Sequence, residues 1–129
     1  MRKLYKLHIN QSILSMFYNS VICSVWRYCL LGWGGNSGKF NKDRINRQIR
    51  KAEKMTGVDL VDVDCMYHDM LTTKLDSVLN DSSHPMYNIM TCLIPRSGRF
   101  RMPTFGTRTR HPMSFVPRAI RQFNSNFKR

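Results

Sequence analysis

Four cations, Arg44, Arg47, Lys51 and Lys54, recur at intervals of three and four residues near the middle of the chain. On an α-helix that spacing gathers them into one stripe, and such a stripe can meet successive phosphates of a nucleic-acid backbone. A merely solvated helix face would show the same pattern. The chemistry continues further along. From Pro95 onward there are nine basic residues and no acidic one, with Arg99, Arg101, Arg108, Arg110, Arg118 and Arg121 interleaved with Phe100, Phe105 and Phe115. Guanidinium charge beside aromatic rings is the usual equipment for holding RNA or single strands. Some of those rings must instead hold the segment to the rest of the fold. Phe100 and Phe105 join the ten cations as the candidate nucleic-acid-binding set, with RNA or DNA as the partner through backbone contacts.

Other constellations carry less. Cys65-x2-His68, followed by His84 and Cys92, has the residue types of a zinc site. Structural zinc sites show short paired spacings in both halves, and here seven residues separate the second pair. Core cysteines and surface histidines are the simpler reading, and no cofactor is assigned. Tyr67-His68-Asp69-Met70 has one Asp where the metal-holding turn of polymerase palms has two, and it sits in a helical pattern. The two carboxylates of Asp62-Val63-Asp64 are better spent capping a helix. No phosphate-binding glycine loop, nucleophile elbow or His-Glu-x-x-His motif occurs, so an enzyme is not expected.

The elements that must position the stripe follow from periodicity. Ile13, Phe17, Val21 and Val25 form one row at helical spacing, and Leu14, Tyr18, Ile22 and Trp26 form a second, which predicts a helix over about 11–31 with a broad apolar face. Such a face requires a neighbour; left uncovered, it predicts poor solubility. Gly32, Gly34, Gly35 and Gly38 end this helix around Trp33. The stripe belongs to a second helix, 42–56, with Asn41 as N-cap and Gly57 as the stop. There Ile45, Ile49, Ala52 and Thr56 share a face roughly 150° from the cations. A third helix is expected over 64–79, capped by Asp62 or Asp64, and a short turn over 85–90 after Pro85. The basic segment, 95–129, is punctuated by proline and glycine, with a hairpin around Ser97-Gly98 and a terminal helix near 117–123. The fold class is therefore mainly α: a helical domain over 1–94 and an irregular, Arg-rich tail over 95–129.

Composition sets the outer limits. With 129 residues and 42% hydrophobic content, the chain holds one ordinary domain and resembles neither disordered nor collagen-like sequence. Its 21 Lys plus Arg against 8 Asp plus Glu give +13, which favours polyanionic partners. The charge is uneven, because residues 55–80 hold five Asp and one Lys. The stretch from Ile13 to Leu31 is broken by Ser15, Asn19, Ser20, Ser24 and Arg27, so no membrane span is expected. Arg2, Lys3 and Lys6 imitate a signal peptide, but no cleavage site follows. An intracellular, reduced location is the expectation, nuclear if nucleic acid is bound, with Asn10 and Asn80 unglycosylated and Cys23, Cys29, Cys65 and Cys92 as thiols.

Six segments together carry a family resemblance. Phe17-Tyr18-Asn19-Ser20-Val21-Ile22-x-Ser24-Val25, Trp33-Gly34-Gly35-Asn36, Ala52-Glu53-Lys54-x-x-Gly57, Asp81-Ser82-Ser83-His84-Pro85-Met86-Tyr87, Ser97-Gly98-Arg99-Phe100-Arg101-x-Pro103 and Ser114-Phe115-Val116-Pro117-Arg118-Ala119-Ile120-Arg121 occur in one order along nearly the whole chain. This series resembles the carboxy-terminal region of LINE-type (non-LTR) retrotransposon polyproteins, which follows the reverse-transcriptase palm and thumb. The resemblance implies an accessory, non-catalytic role beside a polymerase domain that this chain lacks, as an inactive fragment. It places no catalytic residue on any position here. A fainter similarity over 15–57, to a short amino-terminal module of AlkB-type tRNA-modifying proteins, implies a helical protein-interaction module as the alternative.

Overall fold

A computed structural model describes residues 1–94, 98–102 and 114–126. It is mainly α, and no strand occurs among the described residues. The helices are α1 (Arg2–Lys6), α2 (Gln11–Phe17), α3 (Ser24–Arg27), α4 (Leu30–Trp33), α5 (Lys39–Thr56), α6 (Val63–Asn80), α7 (Tyr87–Thr91) and α8 (Phe115–Asn126), with a π-helical segment, Tyr18–Cys23, joining α2 to α3. None of them is long and apolar enough to cross a membrane.

The chain forms two compact units, Met1–Leu30 with Ser37–Met66 and Leu31–Asn36 with Tyr67–Arg129. Residues 31–36 and 67–94 thus share a unit with the basic segment, whereas the sequence groups them with the helices before it. The reason lies in side-chain ties within the second unit, set out below.

In the first unit α2 packs on α5. Its core holds Leu14, Tyr18, Cys23, Ile49, Ala52 and Val63, all buried. The first helix departs from the expected 11–31 in two ways. Ser20 Oγ donates to the Met16 carbonyl and Ser24 Oγ to that of Val21, at 2.8 Å each. Hydroxyls that compete in this way for backbone carbonyls accompany bends, and here the ladder opens to the wider π pattern. The inward row consequently runs Leu14, Tyr18, Cys23, with a step of five, and Ile22 is only half-buried. The helix then ends at Arg27, not Leu31, because Tyr28 is extended and Cys29 takes the left-handed conformation at φ 50°. Burial pushes the Tyr18 hydroxyl above the ordinary tyrosine range, with the Cys23 thiol and Glu53 carboxylate adding to the effect.

α5 begins three residues before the expected start. Gly38 occupies the N-cap, and Asn41 lies inside the first turn with its N–H bonded to the Gly38 carbonyl. Glycine is an acceptable N-cap, so the expected Asn41 cap is superseded. At the other end Gly57 is left-handed, φ 68°, and its N–H donates to the Glu53 carbonyl. One side of α5 is pinned by polar ties: Lys42 to Asp64, Asn46 Oδ1 accepting from Val63 N–H, and Glu53 Oε1 accepting from Leu60 N–H. Asp62 caps α6 as expected, its Oδ1 accepting from Cys65 N–H at 2.8 Å.

In the second unit α6 contributes Tyr67, Leu71, Leu75 and Val78 to a core shared with Met90, Ala119 and Ile120. Arg118 of α8 donates to the Gly35 carbonyl and lies 5.7 Å from the Tyr67 ring centroid. Gln122 contacts His68 and donates to Thr72 Oγ1. Phe100 N–H donates to Asn124 Oδ1, and Asn124 Nδ2 donates back to the Phe100 carbonyl. α8 extends over Phe115–Asn126, beyond the expected 117–123, with Pro117 tolerated in its first turn. The turn after α6 is closed by Asp81, whose carboxyl is held below the usual carboxylate range by the Ser83 hydroxyl and N–H. The expected hairpin turns on Ser97, outside the described residues.

A Cβ on Gly35 would sit 2.9 Å from Arg118 Nε and 3.0 Å from the Tyr67 hydroxyl. Gly35→Ala is therefore expected to cost about 1–3 kcal/mol, the usual range for overpacking. Chemical unfolding would measure it, and an unchanged midpoint would mean that Arg118 swings aside without loss.

Candidate nucleic-acid interface

The polar ties on one side of α5 decide what its other side can do. Lys42, Asn46 and Glu53 are held by residues 60–64, and Ile49, Ala52 and Thr56 are buried. The helix therefore cannot roll about its axis, and Arg44, Arg47 and Lys54 stand exposed on the opposite side with Lys51 half-buried beside them. Arg50, which periodicity alone leaves out of the stripe, is exposed as well. The Arg44 guanidinium lies 5.9 Å from the Phe40 ring centroid. Phe40 is itself 73% exposed, so a ring joins the cations on this surface.

Alongside this face runs a cleft of about 380 Å³, lined by Trp26 of α3 and by Asn41, Arg44, Ile45, Arg47 and Gln48 of α5. The Trp26 indole N–H is shielded from solvent and has no hydrogen-bond partner among the described residues. Leaving such a donor unpaired costs about 1–3 kcal/mol. The sequence signal for Trp26 was its place in an apolar row, which marks it as core and hides its position beside two cations.

The candidate residues of the second unit fare differently. Arg99, Arg101 and Arg121 are exposed. Arg118 is half-buried and spent on Gly35 and Tyr67. Phe100 is corrected outright: at 4% exposure, packed edge-on against Phe123 with centroids 4.8 Å apart, its ring has no face for a base. Phe105, Arg108 and Arg110 lie outside the described residues. A cleft of about 600 Å³ in this unit is lined by Arg118, Arg121, His68 and Gln122 among others.

Cys65, His68, His84 and Cys92 do not converge. Among the described residues no three His, Cys, Asp or Glu side chains come together to hold a metal ion. His84 instead accepts from Met86 N–H through Nδ1, with Lys74 Nζ 3.3 Å from Nε2.

The fold and this surface define a small, strongly basic α-helical protein with a cleft lined by Arg44 and Arg47 in its first unit. No family model matches the chain, and no curated protein or solved structure matches it either.

Proposed function

We propose that the chain is a non-catalytic nucleic-acid-binding accessory segment, akin to the post-polymerase region of LINE-type retrotransposon polyproteins. One observation carries the reading: an 18-residue helix is pinned on one side and turns Arg44, Arg47 and Lys54 outward on the other, in a chain of net charge +13. RNA or DNA is gripped by its phosphates, which fix position on the strand and carry no sequence information of their own. A nuclear location fits that role.

The test is the salt dependence of binding. Phosphate contacts release counterions, so affinity for oligonucleotides should fall steeply with salt. Changing Arg44, Arg47, Lys51 and Lys54 together to Gln should weaken binding to every sequence and flatten the log–log salt slope by up to about four times 0.7–0.9. Helicity should hold, since Gln is nearly as good a helix former as Lys or Arg. A retained slope with retained helicity would remove the stripe as the contact surface.

A second reading has its own observation. Ile13, Met16, Val21 and Val25 are 56%, 70%, 48% and 66% exposed along the first helix, an apolar row that no described residue covers. That row supports a helical protein-interaction module, as the AlkB-type similarity implies. Association through it would be nearly indifferent to salt, which separates the two.

A further inference from the structure

We propose that the cleft beside Trp26 seats one unpaired base of a single strand, with Arg44 and Arg47 on the flanking phosphates. The inference rests on the nucleic-acid reading above and makes the site selective for single strands. Three features converge on it. The volume, about 380 Å³, lies within the range of small-molecule sites, roughly 300–1,000 Å³. Trp26 and Ile45 supply an aromatic and an aliphatic surface for a flat heterocycle. The amides of Asn41 and Gln48 make no side-chain hydrogen bond among the described residues. Each amide carries both donor and acceptor, so the pair suits the pairing edge of any base.

A duplex cannot use this arrangement. Its bases are stacked and their pairing edges are spent, so only its phosphates reach the cations. An unpaired base can leave the stack and enter. An acidic peptide would satisfy Arg44 and Arg47 but has no use for an aromatic slot lined by amides.

The experiment measures binding of the full chain to a twelve-nucleotide oligo-dT, to a duplex of equal length and to oligo-glutamate, by anisotropy of the labelled ligand. Trp26→Leu should lose roughly 5- to 150-fold for oligo-dT, the range of one stacked base. Its duplex affinity and salt slope should stay unchanged. Asn41→Ala with Gln48→Ala, both exposed positions, should lower oligo-dT affinity alone and covers the case in which Trp26→Leu fails to fold. Photo-crosslinking with a 5-bromouridine oligonucleotide should place the adduct on Trp26. Equal losses for single strand and duplex, no loss in either variant, adducts only elsewhere, or tighter binding of oligo-glutamate than of oligo-dT would each overturn the base seat. Steep salt dependence of oligonucleotide binding by the unaltered chain keeps the wider nucleic-acid reading standing in those cases. If the unaltered chain binds neither nucleic acid, the wider reading fails first.

Discussion

Truncation of Phe100 to alanine is expected to lower stability by about 3–5 kcal/mol, the cost of emptying a buried aromatic site. The ring meets Phe123 at 83°, an edge-to-face geometry worth more than its area alone. Asn124 holds the same residue by both backbone groups, at 3.0 and 2.9 Å, so the backbone that carries the ring cannot pull away without breaking two hydrogen bonds. Chemical unfolding followed by helical circular dichroism checks the size of the loss. Binding to single strands, compared under conditions where the variant is folded, should be unaltered. The opposite pattern, intact stability with weakened single-strand binding, would return Phe100 to the stacking surface.

Two neighbouring residues of the first helix should respond in opposite ways. Leu14 is 1% exposed and Ile13 is 56% exposed. Leu14→Ala should cost about 2–5 kcal/mol, because a packed site loses both its contacts and the transfer of the leucine side chain from water. Ile13→Gln should stay within about 0.5 kcal/mol, as surface changes do. It should also reduce self-association at high concentration by shrinking the uncovered apolar row. Sedimentation and thermal unfolding of the two variants side by side distinguish the outcomes; a destabilised Ile13→Gln would mean that the outer row is covered.

This contrast marks how far the sequence could be read. Periodicity found both rows, but periodicity is a statement about angles and does not say which row meets the partner. The α5 stripe and its buried face were legible because cations and apolar residues sit far apart on the helix wheel, and the Gly57 stop because a left-handed cap needs glycine. Arg118 and Phe100 stand among the contact candidates because residue type alone does not distinguish a group facing water from one spent inside the fold. Their partners, Gly35 and Asn124, lie 83 and 24 residues away. No local window covers such distances. The break at Tyr28 and Cys29 has no marker in those residue types, and the chain bears it as local strain.

The π-helical segment, finally, is a spare residue held in reserve. Relative to an α-helix it absorbs one additional position, or 100° of rotation on the wheel, between Tyr18 and Cys23. Deleting one exposed residue there, Asn19 for instance, would let the ladder close into ordinary α-helix. Both flanks would keep their phase, with Leu14 and Trp26 facing as they do now. Straightening the segment at full length would instead swing Trp26 away from α5. Within the first helix a lost codon is therefore best borne inside this segment, where the wider ladder already holds an extra position.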